Sequence, residues 1–407
     1  MKCLAKRAGA LLCASLLLFT MTACKSKPST ADPSAPPSGM PETTPTAAPV
    51  SAAPTAPAAK LVPWPTTQVV EHLFFHQVIC YPELAFDGDK QQKGFDDWMV
   101  TVDEFKAILE SCSKNNYVLV DMNDVWSEYT NENGETRMRR NSVMVPEGKK
   151  PLCISYDDIS YYYVYANNGF PEKLILGDDG DVWSYGHDPQ GNEVISQDLD
   201  GVTILDKFVK EHPDFSVNGA KACLSLTGYN GILGYRTQTD TDHPEAAFEE
   251  NRQKEIAAVK PIVKRLKETG WTFGSHTWGH IKYENMDTAT IQKDMNRWLD
   301  EVGSLVGPTD ILFYPHGSRP DGNHDQGDPA GPQFQWLQEK GFRIFASVGI
   351  NSFEQVKKKT SAVIIDRLHP DGTVLRNAKD IPRYQQFFNI PDIYDAANRP
   401  AEYGHTW

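Results

Sequence analysis

Apolar residues follow two periodicities from about residue 66 onward. Short apolar runs predict buried strands, and longer segments with apolar residues three or four apart predict amphipathic helices. The predicted strands lie in HLFFHQVI, YVLVDM, PLCISY, KACLSLTG, WTFGS, DILFYP, FRIFASVG and AVIID. The predicted helices lie in TVDEFKAILESC, TILDKFVKEH, residues 246–269, residues 288–302 and FQWLQEKG. Alternating strands and helices predict a parallel α/β sheet or barrel.

One segment departs from this alternation. Residues 159–200 are rich in Tyr, Gly, Asn and Asp and show no strong periodicity. Long loops of this kind are usually functional or mobile. We interpret this segment as an insertion over one end of the sheet, whose aromatic residues either pack on the domain or stack on carbohydrate.

The N-terminus resembles a bacterial export signal. Positive residues precede the apolar stretch AGALLCASLLLFTM, which is short for a membrane span. The stretch ends in MTAC, which resembles the lipobox of bacterial lipoproteins and implies cleavage after residue 23 and lipid attachment to Cys24. We therefore expect a lipid-anchored protein on the extracytoplasmic face of the cell membrane. Met21 is unusual at its lipobox position, so a secreted form and an uncleaved signal anchor stay open.

Composition divides the mature chain in two. Residues 24–65 are dominated by Pro, Ala, Ser and Thr, and such a segment has too few apolar residues to build a core. We expect a disordered tether there, or an inert linker, followed by a catalytic domain over 66–407. Lysine and arginine number 40 against 54 acidic residues, so 40 − 54 gives a net charge of −14. This charge argues against a nucleic-acid partner.

Cysteine spacing predicts neither a zinc knot nor a redox motif. Cys153 and Cys223 lie in strand-like runs and are expected in the core. Cys80 and Cys112 are candidates for a disulfide, because the export signal predicts an oxidising compartment.

Polar clusters directly follow four of the predicted strands. They are Asp157-Asp158, the His276/His280 pair, the PHG after DILFY, and the RLHP after AVIID. Parallel barrels build their active sites at the C-terminal ends of strands. Two imidazoles four residues apart can share a cation, and one carboxylate would complete a His-His-Asp set with open positions. The alternatives are a polar loop for the histidines and a capped turn for the aspartates.

SYDD, HTWGH and FYPHG, in this order, resemble three motifs of the polysaccharide deacetylase family, carbohydrate esterase family 4. The resemblance covers roughly residues 70–370 and implies a distorted (β/α) barrel. It also implies removal of acetyl groups from N-acetylglucosamine polymers with the help of a divalent metal. Zinc is the expected metal, with cobalt and nickel as alternatives.

The resemblance also implies roles for individual residues. Asp158, His276 and His280 would hold the metal, and Asp157 would be the general base that takes a proton from water on that metal. His369 would be the general acid. The residues expected to bind substrate are Tyr314, Pro315 and Gly317.

The chain departs from the family pattern at two positions. Ile159 stands where the family usually has Gly, and Phe313 stands where the third motif usually has an Arg that orients the base. Arg367 or Arg383 is expected to replace that Arg. His76 matches a histidine frequent near the first strand of the family, without a role that the sequence defines.

The sequence therefore predicts a metal-dependent hydrolase that removes N-acetyl groups from an extracellular or cell-wall polysaccharide. Two alternatives remain at this point. One is an O-acetyl esterase that acts on a cell-envelope glycan with the same residues. The other is a carbohydrate-binding lipoprotein on a catalytically decayed esterase fold.

Overall fold

The computed structural model describes residues 60–239, 246–320, 331–357, 361–377 and 382–405. The predicted signal segment, Cys24 and the predicted tether as far as residue 59 lie outside these residues. The export signal, the lipid anchor and the extracytoplasmic location therefore stay predictions.

Sixteen strands are present in the described part of the chain. In chain order they are β1 (Leu61–Pro63), β2 (Glu71–Phe75), β3 (Tyr117–Leu119), β4 (Trp126–Thr130), β5 (Thr136–Arg140), β6 (Met144–Pro146), β7 (Lys150–Asp157), β8 (Lys173–Leu176), β9 (Val182–His187), β10 (Glu193–Ser196), β11 (Cys223–Leu226), β12 (Thr272–Ser275), β13 (Ile311–Phe313), β14 (Ile344–Val348), β15 (Phe353–Lys357) and β16 (Ala362–Arg367). The α-helices in the same residues are α1 (Pro82–Ala85), α2 (Gln92–Trp98), α3 (Val102–Lys114), α4 (Met122–Val125), α5 (Gly201–Glu211), α6 (Ala246–Glu268), α7 (Thr288–Trp298), α8 (Ser304–Val306), α9 (Pro332–Glu339) and α10 (Gly372–Arg376).

Nine of the strands form one curled sheet. Its order is β15-β16-β14-β13-β12-β11-β7-β2, and β3 also pairs with β7. All neighbours are parallel except β15 and β16. Leu368, directly after β16, pairs with Leu73 of β2, so the sheet curls back on itself. The predicted fold, a distorted barrel of the α/β class, is confirmed.

Helices predicted from apolar periodicity pack on this sheet. In α3 the predicted apolar face is at most 1% exposed, and Thr101 and Glu104 form the predicted capping box. The long helix α6 stops just before Gly270, whose φ of 97° permits the chain to reverse there. The sequence therefore predicts both the buried face of α3 and the end of α6.

The 159–200 insertion is more regular than its sequence indicates. It contains a short 3-10 turn, Tyr163–Tyr165, and a three-stranded antiparallel sheet of β8, β9 and β10. Two further pairings were also not predicted. The hairpin β4–β5 follows β3, and β1, which lies within the predicted tether, pairs with β6.

The described cysteines are free thiols. Cys153 and Cys223 are buried in the core, as predicted. Cys80 donates to the carbonyl of Gly169, while Cys112 is buried on α3, so the candidate disulfide between them is not formed. Among the described residues, no helix has the length and apolar character needed to cross a membrane.

Candidate active site

The residues predicted to be catalytic or metal-binding meet at the C-terminal ends of the barrel strands. Asp157 is the last residue of β7, and Asp158 follows it. His276 comes directly after β12, and Arg367 is the last residue of β16. His76 follows β2. Curling of the sheet therefore brings together residues that lie far apart in the sequence.

Asp158, His276 and His280 form a compact donor cluster. One ligand atom from each lies within 4.8 Å of the other two. Nε2 of His276 is 3.7 Å from Oδ1 of Asp158, and Nε2 of His280 is 3.6 Å from Oδ2. One carboxylate and two imidazoles are typical ligands of a catalytic divalent metal, and three protein ligands leave positions open for water or substrate. The cluster fits the metal site that the sequence predicts.

The orientation of His276 suits a metal ligand. Its Nδ1 is 2.9 Å from the carbonyl oxygen of Phe313, at the end of the neighbouring strand β13. A carbonyl accepts a hydrogen bond and cannot donate one, so Nδ1 carries the proton and Nε2 keeps its lone pair. Burial lowers the pKa of His276, which also favours the neutral form that binds metals.

Asp158 is fixed by a residue of the insertion. The hydroxyl of Tyr162 donates to Oδ1 of Asp158 at 2.5 Å and is 2.7 Å from the hydroxyl of Thr227. Burial alone would raise the pKa of Asp158, but His280, His276 and this hydrogen bond together lower it. Asp158 therefore stays ionised, as a metal ligand must. No signal in the sequence marks Tyr162 beyond its place in an aromatic run.

Four residues in or beside this cluster have a strained backbone. Asp158, Thr277, His280 and His316 have φ values of 64°, 60°, 52° and 57°, in the left-handed region that most side chains avoid. Such a conformation costs about 1–3 kcal/mol per residue and persists where surrounding contacts enforce it, often at functional sites. The strain therefore points to a functional constraint on these turns.

Asp294 of α7 holds the turn between the two histidines. Its carboxylate accepts from the backbone N–H groups of Trp278 and Gly279 at 3.0 and 2.8 Å. The Trp278 indole lies under the guanidinium of Arg297 and donates to Glu301. Trp278 therefore packs beside the site and helps to shape the turn.

Asp157 is paired with a buried arginine. Two nitrogens of Arg367 donate to the two carboxylate oxygens of Asp157, each at 2.8 Å, and Arg367 is 0% exposed. Burial alone would raise the pKa of Asp157, but Arg367 holds this pKa well below its usual range. Oδ2 of Asp157 is 3.9 Å from Nε2 of His276, so this ionised carboxylate lies beside the metal cluster.

Arg367 replaces the arginine that the third motif lacks. Its guanidinium lies between the rings of Phe74 and Phe313, at 4.2 and 4.5 Å from their centroids. Phe313 is the residue at the position where the family usually has the arginine, so it now packs on the arginine from β16. Arg383, the other candidate, pairs with Glu71. Of the two candidate arginines, the structure therefore brings Arg367, and not Arg383, to Asp157.

Residues 239–328 match the family model described as polysaccharide deacetylase. This segment contains both histidines of the cluster, whereas Asp157 and Asp158 precede it. The chain therefore contains a polysaccharide deacetylase domain, which supports a deacetylase of the hydrolase class. Enzymes of that family generally depend on a metal, and the Asp158/His276/His280 cluster is a candidate site for one.

Solved structures of deacetylases are similar to this chain at low identity. The Streptococcus pyogenes deacetylase PplD, in complex with acetate, has 13% identity and a TM-score of 0.41, over 75% of this chain and 93% of that one. A polysaccharide deacetylase from Bacillus cereus has 13% identity and a TM-score of 0.43, over 80% and 69% of the two chains. No curated protein matches the sequence.

His369 of the deacetylase lies behind a second histidine. Its Nε2 is 3.1 Å from Nδ1 of His76, and its Nδ1 is 3.0 Å from Oδ2 of Asp371. Nε2 of His76 is 3.9 Å from Oδ2 of Asp158, so His76 lies between His369 and the metal cluster. Burial, with His369 as the next cause, lowers the pKa of His76 to about 4, so His76 is neutral.

The third motif of the deacetylase faces the site through a residue that was not predicted. The Tyr314 side chain is 2% exposed and packs against Tyr283 and Phe345. Pro315 and Gly317 are also buried. The exposed member of this segment is His316, whose ring centroid is 4.6 Å from that of His280. Substrate binding by Tyr314, Pro315 and Gly317 therefore stays a prediction.

Proposed function

We propose that this deacetylase removes N-acetyl groups from an extracellular or cell-wall polysaccharide of the N-acetylglucosamine type. The observation that carries the proposal is the pairing of a three-ligand cluster with a second, ionised aspartate beside it. Hydrolysis of an amide needs both a site for a Lewis acid and a separate base within reach of water. The match of residues 239–328 to the polysaccharide deacetylase model supports a polysaccharide as the substrate.

Asp158, His276 and His280 would hold the metal. We propose zinc, since two imidazoles and one carboxylate form a usual catalytic zinc set, with cobalt or nickel as substitutes. When bound, the cation lowers the pKa of a water molecule and polarises the acyl carbonyl. Phe313 and Tyr162 contribute by fixing the tautomer of His276 and the orientation of Asp158.

Asp157 is the proposed general base. Its carboxylate accepts a proton from the attacking water, while Arg367 holds it in place through two parallel hydrogen bonds. The same arginine stabilises the ionised state of Asp157, so the base stays able to accept a proton. Arg367 counts against a catalytically decayed carbohydrate-binding protein, because it supplies Asp157 with the cation that the third motif lacks.

His369 and His76 together are the proposed proton donor. Asp371 accepts from Nδ1 of His369, and Nε2 of His369 donates its proton to Nδ1 of His76. His76 passes the proton on its Nε2 to the leaving nitrogen and receives one from His369 on Nδ1. His76 thus starts and ends neutral, while His369 loses the proton that the leaving nitrogen gains.

The two histidines should therefore behave as one catalytic unit. We expect His76→Ala and His369→Ala each to lower kcat by about 10²-fold or more, because each interrupts the same proton transfer. The double variant should be no slower than the slower single variant. Single-turnover acetate release measures the rate of the chemical step in each variant. In steady-state kinetics and metal analysis, KM and metal content should stay near normal for His369→Ala. Effects that multiply in the double variant would contradict the relay.

The location of the enzyme is proposed from its N-terminal sequence. We propose that Cys24 carries a lipid that anchors the protein on the extracytoplasmic face of the cell membrane, with the Pro-, Ala-, Ser- and Thr-rich residues between Cys24 and β1 as the tether. The charged start, apolar stretch and MTAC sequence support this. Such an anchor would place the enzyme where polymers of the cell envelope are accessible.

Acetate release from N-acetylglucosamine oligosaccharides tests the proposed function. We expect release by the purified protein, loss of release after chelation, and recovery with zinc or cobalt. A preparation that binds the oligosaccharides without releasing acetate at full metal content would support the binding-only alternative. Release from O-acetylated glycans alone would identify an O-acetyl esterase.

A further inference from the structure

We propose that Tyr163 is a substrate-binding residue that stacks on the pyranose ring next to the sugar being deacetylated. This inference rests on the proposed function and concerns which part of the polymer the enzyme holds. Tyr163 lies in the insertion, outside the motifs of the family, and is 61% exposed. A tyrosine combines an apolar ring with a polar hydroxyl, so an exposed tyrosine beside a catalytic site offers a ligand a contact surface.

The position of Tyr163 follows from that of its neighbour. Tyr162 donates to the metal-cluster residue Asp158, and its ring stacks on that of Tyr229 at 4.8 Å. Tyr163 is the next residue, so its Cα lies about 3.8 Å from that of Tyr162. Tyr163 therefore directly follows the residue whose side chain contacts the candidate metal ligand Asp158.

A second connection ties Tyr163 to the histidine turn. Its backbone N–H donates to the side-chain oxygen of Asn230 at 3.3 Å. The residues just before Asn230, Gly228 and Tyr229, donate their N–H groups to the carbonyl of Trp278, at 2.9 and 3.0 Å. Tyr163 is thus connected to Asp158 through Tyr162. It is connected to the histidine turn through the loop that contains Gly228, Tyr229 and Asn230.

One face of the Tyr163 ring is already held. The guanidinium of Arg236 lies 4.1 Å from its centroid. Arg236 is itself fixed, because it donates to the backbone carbonyls of Tyr161 and Asn230 at 2.7 and 2.6 Å. The ring is therefore pre-oriented at the rim of the site, so binding needs little further ordering.

The chemistry of the ring selects a sugar. A pyranose presents a face of C–H groups, which packs against the electron-rich face of an aromatic ring. This contact requires no charge and no fixed hydrogen bond, so it suits a neutral repeating polymer. The sugar that loses its acetyl group would lie against Asp158, His276 and His280. Tyr163 would therefore contact the neighbouring sugar of the same polysaccharide. The contact should therefore matter for oligosaccharides and not for the monosaccharide.

Kinetics on N-acetylglucosamine oligosaccharides of one to four sugars test the proposal. We expect Tyr163→Ala to raise KM for the tetrasaccharide about three- to tenfold, with kcat and metal content unchanged and with no change for the monosaccharide. Tyr163→Phe should keep the wild-type KM, since the ring remains. The matched control is Tyr129→Ala, an exposed tyrosine with Arg139 over its ring, on the β4–β5 hairpin. Contacts of that hairpin with Arg343 and Ser361, just before β14 and β16, place it at the opposite end of the barrel.

Two outcomes would overturn the proposal. One is an unchanged KM of Tyr163→Ala at every chain length, and the other is an equal rise for the monosaccharide and the tetrasaccharide. Calorimetric titration of the tetrasaccharide separates this inference from the proposed function. If the wild type binds it without releasing acetate, and Tyr163→Ala weakens binding, the proposed function fails and the stacking role stands. If acetate is released and binding by Tyr163→Ala is unchanged, only the stacking role fails.

Discussion

Asp157→Asn is expected to lower acetate release by about 10²- to 10⁴-fold while the protein still binds its metal. The amide cannot accept the proton that the carboxylate takes from water, whereas Asp158, His276 and His280 are unchanged. Turnover on an N-acetylated oligosaccharide, measured beside the metal content of the same preparation, gives both quantities. Loss of turnover at full metal content would identify Asp157 as the base.

The same substitution should also destabilise the fold. Arg367 is fully buried, and the neutral amide leaves its charge unpaired, which typically costs about 3–5 kcal/mol. Thermal unfolding therefore accompanies the assay, and turnover is compared at temperatures where the variant is folded. Wild-type turnover would contradict the role of Asp157. Parallel loss of metal would show that Asp157 is a ligand.

His276→Ala is expected to remove the metal and, with it, the activity. Its Nε2 is one of three donor atoms in the cluster, so the variant keeps only Asp158 and His280. Loss of a residue that merely supports a ligand typically costs 10–100-fold in metal affinity, and loss of the ligand itself should exceed about 100-fold. Calorimetric titration with the metal measures the metal affinity. Acetate release by the variant should fall to background.

His316→Ala is the matched control for this loss. Its ring lies beside that of His280, but His316 is not a member of the donor cluster. The variant removes an imidazole of the same size next to the site and should keep wild-type metal affinity. Full metal occupancy in His276→Ala, or equal losses in the two variants, would contradict the ligand assignment.

Most of the barrel could be predicted from the sequence because its strands and helices carry strong local signals. The capping box at Thr101 and Glu104, the apolar face of α3 and the stop before Gly270 depend only on neighbouring residues. The sheet within the 159–200 insertion was missed because its strands are short and partly exposed, as in β10, whose four residues alternate between exposed and half-buried and include no buried residue.

The candidate metal ligands could be predicted from the sequence, whereas the residues that support them could be predicted only in part. Asp158, His276 and His280 belong to short motifs, whose residues lie close together in the sequence and can be recognised there. Arg367 was only one of two candidates, because the sequence does not show which cation reaches Asp157 from another strand. The position of His76 in front of His369 depends on the curl of the sheet, which pairs Leu73 with Leu368. Such contacts between distant segments have no local signal.

Anomalous X-ray scattering from a crystal of the protein with zinc tests the central claim most directly. We predict one zinc peak at about 2.0–2.2 Å from a carboxylate oxygen of Asp158 and from Nε2 of His276 and of His280. Asp157 should lie beside this peak without coordinating it. A zinc bound elsewhere in the chain, with no peak between these three residues at saturating zinc, would contradict the account.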